Sequence, residues 1–180
     1  MSEFSLNTDR LLLREWRAED RAPFAELNAD PLVMEYFVAP LSRSRSDELV
    51  DRFQKEFAEK GFCPWALELV ATTRFIGFVG LHVVPNEMAF APAVEVGWRL
   101  ARAHWGMGYA SEAGSASLRF AFETLHLSEV VSFTSALNLR SQRVMTRIGM
   151  ARDQRSDFEH PGVPEGHHLR PHVLYRIPGN

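Results

Sequence analysis

The residues with the most chemistry in their spacing are Val94-Glu95-Val96-Gly97-Trp98-Arg99-Leu100, followed closely by Trp105-Gly106-Met107-Gly108-Tyr109-Ala110. An apolar run with strand alternation leads into a turn carrying two glycines, and a small-residue helix opens directly behind it. The first amides of a helix have no carbonyl partner within it, so they point beyond the N-terminus and favour an anion there. Gly106 and Gly108 lack Cβ, which permits close approach of a ligand or positive φ without strain. The pattern predicts a diphosphate held by backbone amides. Two glycines also close ordinary turns; the flanking strand and helix distinguish this pair.

Two other phosphate loops fit less well. A Walker loop needs Gly-Lys followed by Ser or Thr, and no Lys follows either glycine. A dinucleotide fingerprint needs a third Gly or Ala where Ser111 stands, and an acid ending the next strand, whereas Glu129 begins it. A nicotinamide-dependent oxidoreductase is therefore the weaker reading.

The turn needs a sheet behind it. Arg10 to Trp16 reads as a first strand, and Asp20 to Asn28 as a helix with Pro23 in its first turn. Asp30-Pro31 starts a brief helix to Tyr36, and Ser46-Asp47 opens a longer one whose stripe is Leu49, Val50, Phe53 and Phe57, stopped by Gly61. Phe62 to Val70 and Phe75 to Val84 form a hairpin around Ala71-Thr72-Thr73-Arg74. Ala110, Ala113, Gly114, Ser117, Leu118, Ala121, Phe122 and Leu125 recur three and four apart, the face of a long helix. A strand from Glu129 to Phe133 and a helix from Asn138 to Gly149 follow. Met150 to Phe158 and His172 to Ile177 make a last strand pair around a loop rich in His, Pro and Gly. The order predicts an α+β fold, a mixed sheet with helices on its faces and a parallel, right-handed unit in the middle.

With 180 residues and 46% hydrophobic content, one domain over 1–180 is expected. A net charge of -3 supplies no footprint for nucleic acid or a membrane surface. The single cysteine, Cys63, forms no internal disulfide, and Met1-Ser2-Glu3-Phe4 opens no charged leader, so a cytoplasmic setting is expected. Cys63 has no base beside it and reads as a packed thiol. His160, His167, His168 and His172 lack metal-ligand spacing, and no metal is expected.

Thr8-Asp9-Arg10-Leu11-Leu12-Leu13-Arg14, Glu95-Val96-Gly97-Trp98, Trp105 to Ala113, Asn138-Leu139-Arg140-Ser141 and Arg147-Ile148-Gly149-Met150 together carry a resemblance. Over a core of about 8–177 the chain resembles the GNAT-superfamily N-acetyltransferases, in particular the ribosomal-protein N-terminal (Rim-type) branch. The resemblance implies a single domain with a mostly antiparallel mixed sheet of about seven strands, splayed into a V at a bulge near Gly97, with helices on both faces. It implies acetyl-CoA as co-substrate and no metal. The pantetheine would pair like a strand along Val96, Trp98, Arg99 and Leu100, and the pyrophosphate would rest on His104, Trp105, Gly106, Met107, Gly108, Tyr109 and Ala110. Asn138 would contact the pantetheine, and Ser141 would sit near the sulfur as proton donor or thiolate partner. Asn138 and Ser141 also fit a plain helix cap, and Arg147 fits either a dipole partner or a CoA phosphate contact. One departure is Ala103, where the family usually has Arg or Gln; Arg102 or His104 would then bring charge to the diphosphate.

Acetyl transfer to a primary amine by direct attack passes through a tetrahedral intermediate, and needs a base, an oxyanion donor and a proton for the thiolate. Glu95 alternates with Val94 and Val96, faces away from their apolar side, and is the candidate base, directly or through water. A Glu95–Arg99 ion pair is the competing role. The amide of Val96 or Gly97 is the candidate oxyanion donor. An α-amine titrates near 8 and a lysine amine near 10.4, a gap of about 3 kcal/mol, so a protein N-terminal α-amine asks less of the base. The early helices and the loop from Asp157 to Pro171 would rim the acceptor pocket, with Glu159 and His172 as contacts or auxiliary base. A small-molecule amine, a homodimer, and a non-catalytic acyl-CoA sensor are the readings carried beside this one.

Overall fold

The computed structural model describes residues 4–179; Met1 to Glu3, read above for a leader, lie outside them. The elements are β1 (Ser5–Asn7), β2 (Leu11–Arg14), α1 (Arg21–Ala29), α2 (Arg43–Lys60), β3 (Pro64–Leu69), β4 (Arg74–Val83) and β5 (Val94–Leu100). After these come α3 (Tyr109–Arg119), β6 (Glu129–Ser135), α4 (Leu139–Arg147), β7 (Ala151–Arg152), β8 (Phe158–Glu159) and β9 (Pro171–Pro178). They build one sheet in the order β1-β2-β3-β4-β5-β6-β9-β7, with β8 also on β9. Every pairing is antiparallel except β5 with β6, which is parallel, as the central strand-helix-strand unit requires.

Three local expectations are corrected. The segment after Asp30 is a run of turns rather than a helix: Met34 N bonds Asp30 O, Phe37 N bonds Met34 O, and no continuous ladder forms. Helix α2 begins earlier than Ser46, because Ser42 is the residue whose side chain caps it, accepting from Arg45 N at 3.3 Å. Ser46 is buried one turn on and accepts from Asn28 Nδ2 at 2.9 Å. The sheet has nine strands rather than about seven. Ser5–Asn7 adds one, and the run from Met150 to Phe158 breaks into β7 and β8. Asp153 breaks it: its carboxylate accepts from Ser156 Oγ at 2.6 Å and Arg176 Nε at 3.0 Å, curling the chain into a 3-10 turn.

The core lies on both sheet faces and is richest between the sheet and α1–α2, where Trp16, Phe24, Phe53 and Phe78 pack ring against ring. Arg14 crosses this region with Nη1 2.7 Å from Asp20 and Nε 2.7 Å from Glu68, all three buried, so β2, β3 and the start of α1 are tied by a matched charge cluster.

The feature that matters for function is the junction of β5 with β6. On one side β5 pairs with β4 in unbroken register from Gly77↔Leu100 to Val83↔Val94, and on the other it meets β6 only at Glu95↔Val131. Beyond that position the two strands part and the sheet opens. The splay is present, but the bulge expected at Gly97 is not, since Gly97 pairs with Gly80 in the regular ladder. The register shift in this part of the sheet lies between β3 and β4, at Leu67/Glu68.

Candidate active site

Strand parity divides the site. Ala101 N donates to Ile76 O and Val84 N to Ala93 O, so the odd-numbered residues of β5 turn their backbone groups toward β4. The even-numbered ones, Val96, Trp98 and Leu100, turn theirs toward β6 and the opening. Val96 sits beside the last bridge, while Trp98 and Leu100 lie beyond it. The Leu100 carbonyl is already taken by Trp105 Nε1 at 2.8 Å. The Trp98 amide and carbonyl and the Leu100 amide therefore form a bare strand edge. Gly97, whose amide lies in the β4 ladder, is not available as an oxyanion donor, which corrects that expectation.

A cavity of about 770 Å³ surrounds this edge, and of the residues assigned above to catalysis or to acetyl-CoA all line it except Val96 and Met107. Val96 has its side chain fully buried in the core, and Met107 is 54% exposed. On the even face, Trp98 Nε1 donates to Ser141 Oγ at 3.3 Å, and Asn138 Nδ2 donates to the same oxygen at 3.1 Å. With two donors on its oxygen, Ser141 has its own O–H left to give. Asn138 also caps α4, accepting from Ser141 N at 3.2 Å, so the cap and the site are one arrangement.

The helix turn is held in shape from far away in the chain. Gly106 and Gly108 have φ of +75° and +80°, a region costly to residues with Cβ, and Gly108 is the N-cap of α3. Glu112 in the first turn accepts from Thr8 Oγ1 at 2.6 Å, Arg10 N at 3.1 Å and Arg10 Nε at 2.7 Å. Arg10 Nη1 then donates to the Met107 carbonyl at 3.0 Å, and its guanidinium lies over the Tyr109 ring. The amides ahead of α3 are thus fixed in place. Of the two neighbours of Ala103, His104 lines the cavity while Arg102 reaches outward to Asp30 at 3.8 Å. Arg140, Arg143 and Arg147 of α4 line the same side, so positive charge comes from α4, and Arg147 faces the cavity besides standing at its helix end.

The odd face carries the other half. Glu95 and Arg99 point here, but no ion pair joins them among the described residues, and burial alone accounts for the shift of each: Glu95 up to about 8, Arg99 down to about 10. Both side chains are half-buried in the wall of the cavity, and desolvation is the cause of both shifts. Arg99 Nη1 donates to Asn28 Oδ1 at 2.6 Å, and the guanidinium lies 4.3 Å from the Phe37 ring centre. Its side chain and backbone both point away from the even face, so Arg99 is not placed to contact a ligand bound there.

Sequence reasoning missed His82 and Glu56. His82 lies opposite Glu95 in the ladder and lines the cavity; its Nδ1 is 2.6 Å from Glu56 Oε2, and Glu56 also accepts from Val83 N at 2.9 Å. No spacing in the sequence links positions 56 and 82. Of the late loop, His160 and His172 reach the cavity with rings 4.7 Å apart, and burial lowers His172 to about 4, which keeps it neutral. Glu159 points elsewhere and pairs with Arg170 at 3.1 Å, which corrects its candidacy as an acceptor contact. Cys63 is buried, and burial raises its thiol further. Among the described residues no three His, Cys, Asp or Glu side chains converge to hold a metal ion, and no helix is long and apolar enough to cross a membrane.

Comparison with known proteins agrees with this geometry. Residues 10–151 match the model of the acetyltransferase (GNAT) domain family. The chain is 34% identical over 146 residues to the uncharacterized protein YkkB of Bacillus subtilis, covering 81% of this chain and 84% of that one. It is 31% identical over 173 residues to the FsC-acetyl coenzyme A-N(2)-transacetylase of Aspergillus fumigatus, covering 90% of this chain and 73% of that one. The crystal structure of an acetyltransferase from Agrobacterium tumefaciens superposes with a TM-score of 0.79 at 29% identity, covering 98% of this chain and 95% of that one. A bare strand edge beside an amide-lined helix start suits the acetyl-CoA that this fold takes as co-substrate. The chain belongs to the GNAT acetyltransferase family and is an acyltransferase that moves an acetyl group to an amine.

Proposed function

We propose that the acceptor is a primary amine, in the first instance a peptide α-amine as in the Rim-type branch, and that the two faces of β5 divide the labour. Acetyl-CoA supplies the activated acetyl thioester. The amides from Gly106 to Ala110 and the α4 arginines hold its phosphates, and the edge at Trp98 and Leu100, with Asn138, receives the pantetheine. The Trp98 amide, next past the last bridge, takes the oxyanion role. Ser141, already accepting from Trp98 and Asn138, passes its hydroxyl proton to the departing sulfur and regains one from the nitrogen of the collapsing tetrahedral adduct.

Glu95 removes the proton from the incoming ammonium on the odd face. The observation that carries this reading is its unpaired carboxyl at the point where β5 and β6 part, desolvated to about 8. That value is close to the range of an α-amine, so proton transfer between them is nearly balanced, whereas a lysine amine near 10.4 would lie well uphill. A small-molecule amine is the second reading, since the relative at 31% identity is named an FsC-acetyl coenzyme A-N(2)-transacetylase and not a peptide N-terminal one.

The test is a turnover screen with acetyl-CoA against peptides with free N-termini, polyamines, amino acids and aminoglycosides, read by mass spectrometry and free thiol release. One added acetyl group on peptide α-amines is the expected result, with kcat/KM rising as pH passes through about 8. Acetylation of polyamines or aminoglycosides alone overturns the α-amine assignment. Tight acetyl-CoA binding without any turnover makes the chain a sensor.

A further inference from the structure

Resting on that reading, we propose that the acceptor carries an anionic group of its own, a carboxylate or phosphate, which Arg99 receives on the odd face while the amine reaches Glu95. A guanidinium taken out of bulk water normally has an acidic partner. Arg14 is the internal comparison: buried in the core, it has Asp20 and Glu68 each at 2.7 Å. Arg99 has none among the described residues. Its Nη1 is bound to a neutral amide, its Nε is buried without a hydrogen-bond partner, and the residue lines the cavity.

The guanidinium is also held in place. Asn28 is fully buried and its own Nδ2 is anchored on Ser46 Oγ at 2.9 Å, so its Oδ1 presents a fixed acceptor to Arg99. Phe37 and Phe78 flank the guanidinium at 4.3 and 5.5 Å. A charge clamped between rings and left uncompensated beside a cavity is prepared for an anion that arrives with a ligand. Glu95 is not that anion, since it lies four residues along the strand, about 13 Å between Cα atoms, and neither group's shift includes the other. The phosphates of the co-substrate belong to the even face. The separation between Glu95 and Arg99 sets the amine-to-anion span at on the order of 10 Å, two to three residues of extended peptide.

The deciding experiment is calorimetric titration of the CoA-loaded protein with N-acetylated tripeptides that differ only in charge. The set comprises free-acid and C-amide forms, and amides bearing Asp, phosphoserine or Asn at the third position. The wild type is expected to bind the anionic member of each pair at least tenfold more tightly. The Asp and phosphoserine arms separate carboxylate from phosphate recognition. In Arg99→Gln the preference should fall to within about twofold, and Arg99→Lys should retain part of it; melting curves establish that both variants fold. Equal binding of charged and amide forms by the wild type overturns the proposal whatever the variants do. So does a preference that survives in Arg99→Gln, or a loss that falls on acetyl-CoA affinity instead. A charge preference in binding with no acetylation of the matching free-amine peptides upholds the Arg99 site and counts against the α-amine reading alone.

Discussion

The even and odd faces of β5 are built in opposite ways. The even face presents backbone, the bare edge at Trp98 and Leu100 and the amides ahead of α3, together with Ser141, Asn138 and the arginines of α4. The odd face presents side chains delivered by remote segments: Asn28 from α1, Phe37 from the turns after it, His82 from β4, His160 from the last loop and His172 from the start of β9. The even face is held tightly by hydrogen bonds from Thr8 and Arg10, whereas on the odd face neither Glu95 nor Arg99 has an ion-pair partner among the described residues. Backbone recognition suits a ligand of fixed shape, and open side-chain valence suits a ligand that brings its own charges.

Breaking the odd face should have the largest effect on turnover. Glu95→Gln is expected to lower kcat about 100-fold. It should also remove the limb of the pH profile near 8, while acetyl-CoA affinity by calorimetry holds. Loss of acetyl-CoA binding in that variant would place Glu95 on the wrong side of the division. Breaking the even face acts on affinity instead. Glu112→Ala releases Thr8 and Arg10, and through Arg10 the Met107 carbonyl. Acetyl-CoA KM should then rise about tenfold, equivalent to about 1.4 kcal/mol, with a smaller change in kcat.

Ser141→Ala should cost less in rate than Glu95→Gln, about tenfold in kcat, because a thiol with a pKa near 8.5 leaves with modest help. The smallest effect concerns stability. Glu95 titrates at 4.5 unfolded and about 8 folded, so between those values the native state binds the extra proton and stability falls as pH rises. Urea unfolding at pH 5 and pH 8 should show wild type losing stability relative to Glu95→Gln at the higher pH; a constant difference would remove Glu95 from the desolvated site.

Legibility in the sequence follows the same division. The even face is written in contiguous residues, so periodicity and two glycines located β5, the turn and the start of α3, and the family resemblance added Asn138 and Ser141. What escaped is whatever depends on register between distant segments. The Arg10–Glu112 clamp spans 102 residues, and Arg99 meets Asn28 across 71. Nothing local marks Glu56 as the partner of His82. The Gly97 bulge failed for a related reason: a mid-strand glycine signals close packing as well as irregularity, and here Gly97 pairs regularly with Gly80. The brief helix after Asp30 failed because Val33 and Met34 are drawn into the core while Phe37 turns toward Arg99.

The division of β5 into a co-substrate face and an acceptor face is tested most directly by a crystal structure of the protein with CoA. The diphosphate should lie on the amides of Gly106 to Ala110, the pantetheine along Trp98 and Leu100, and the sulfur beside Ser141, with Arg99 untouched. CoA phosphates on Arg99, or a pantetheine running on the Glu95 face, would contradict it.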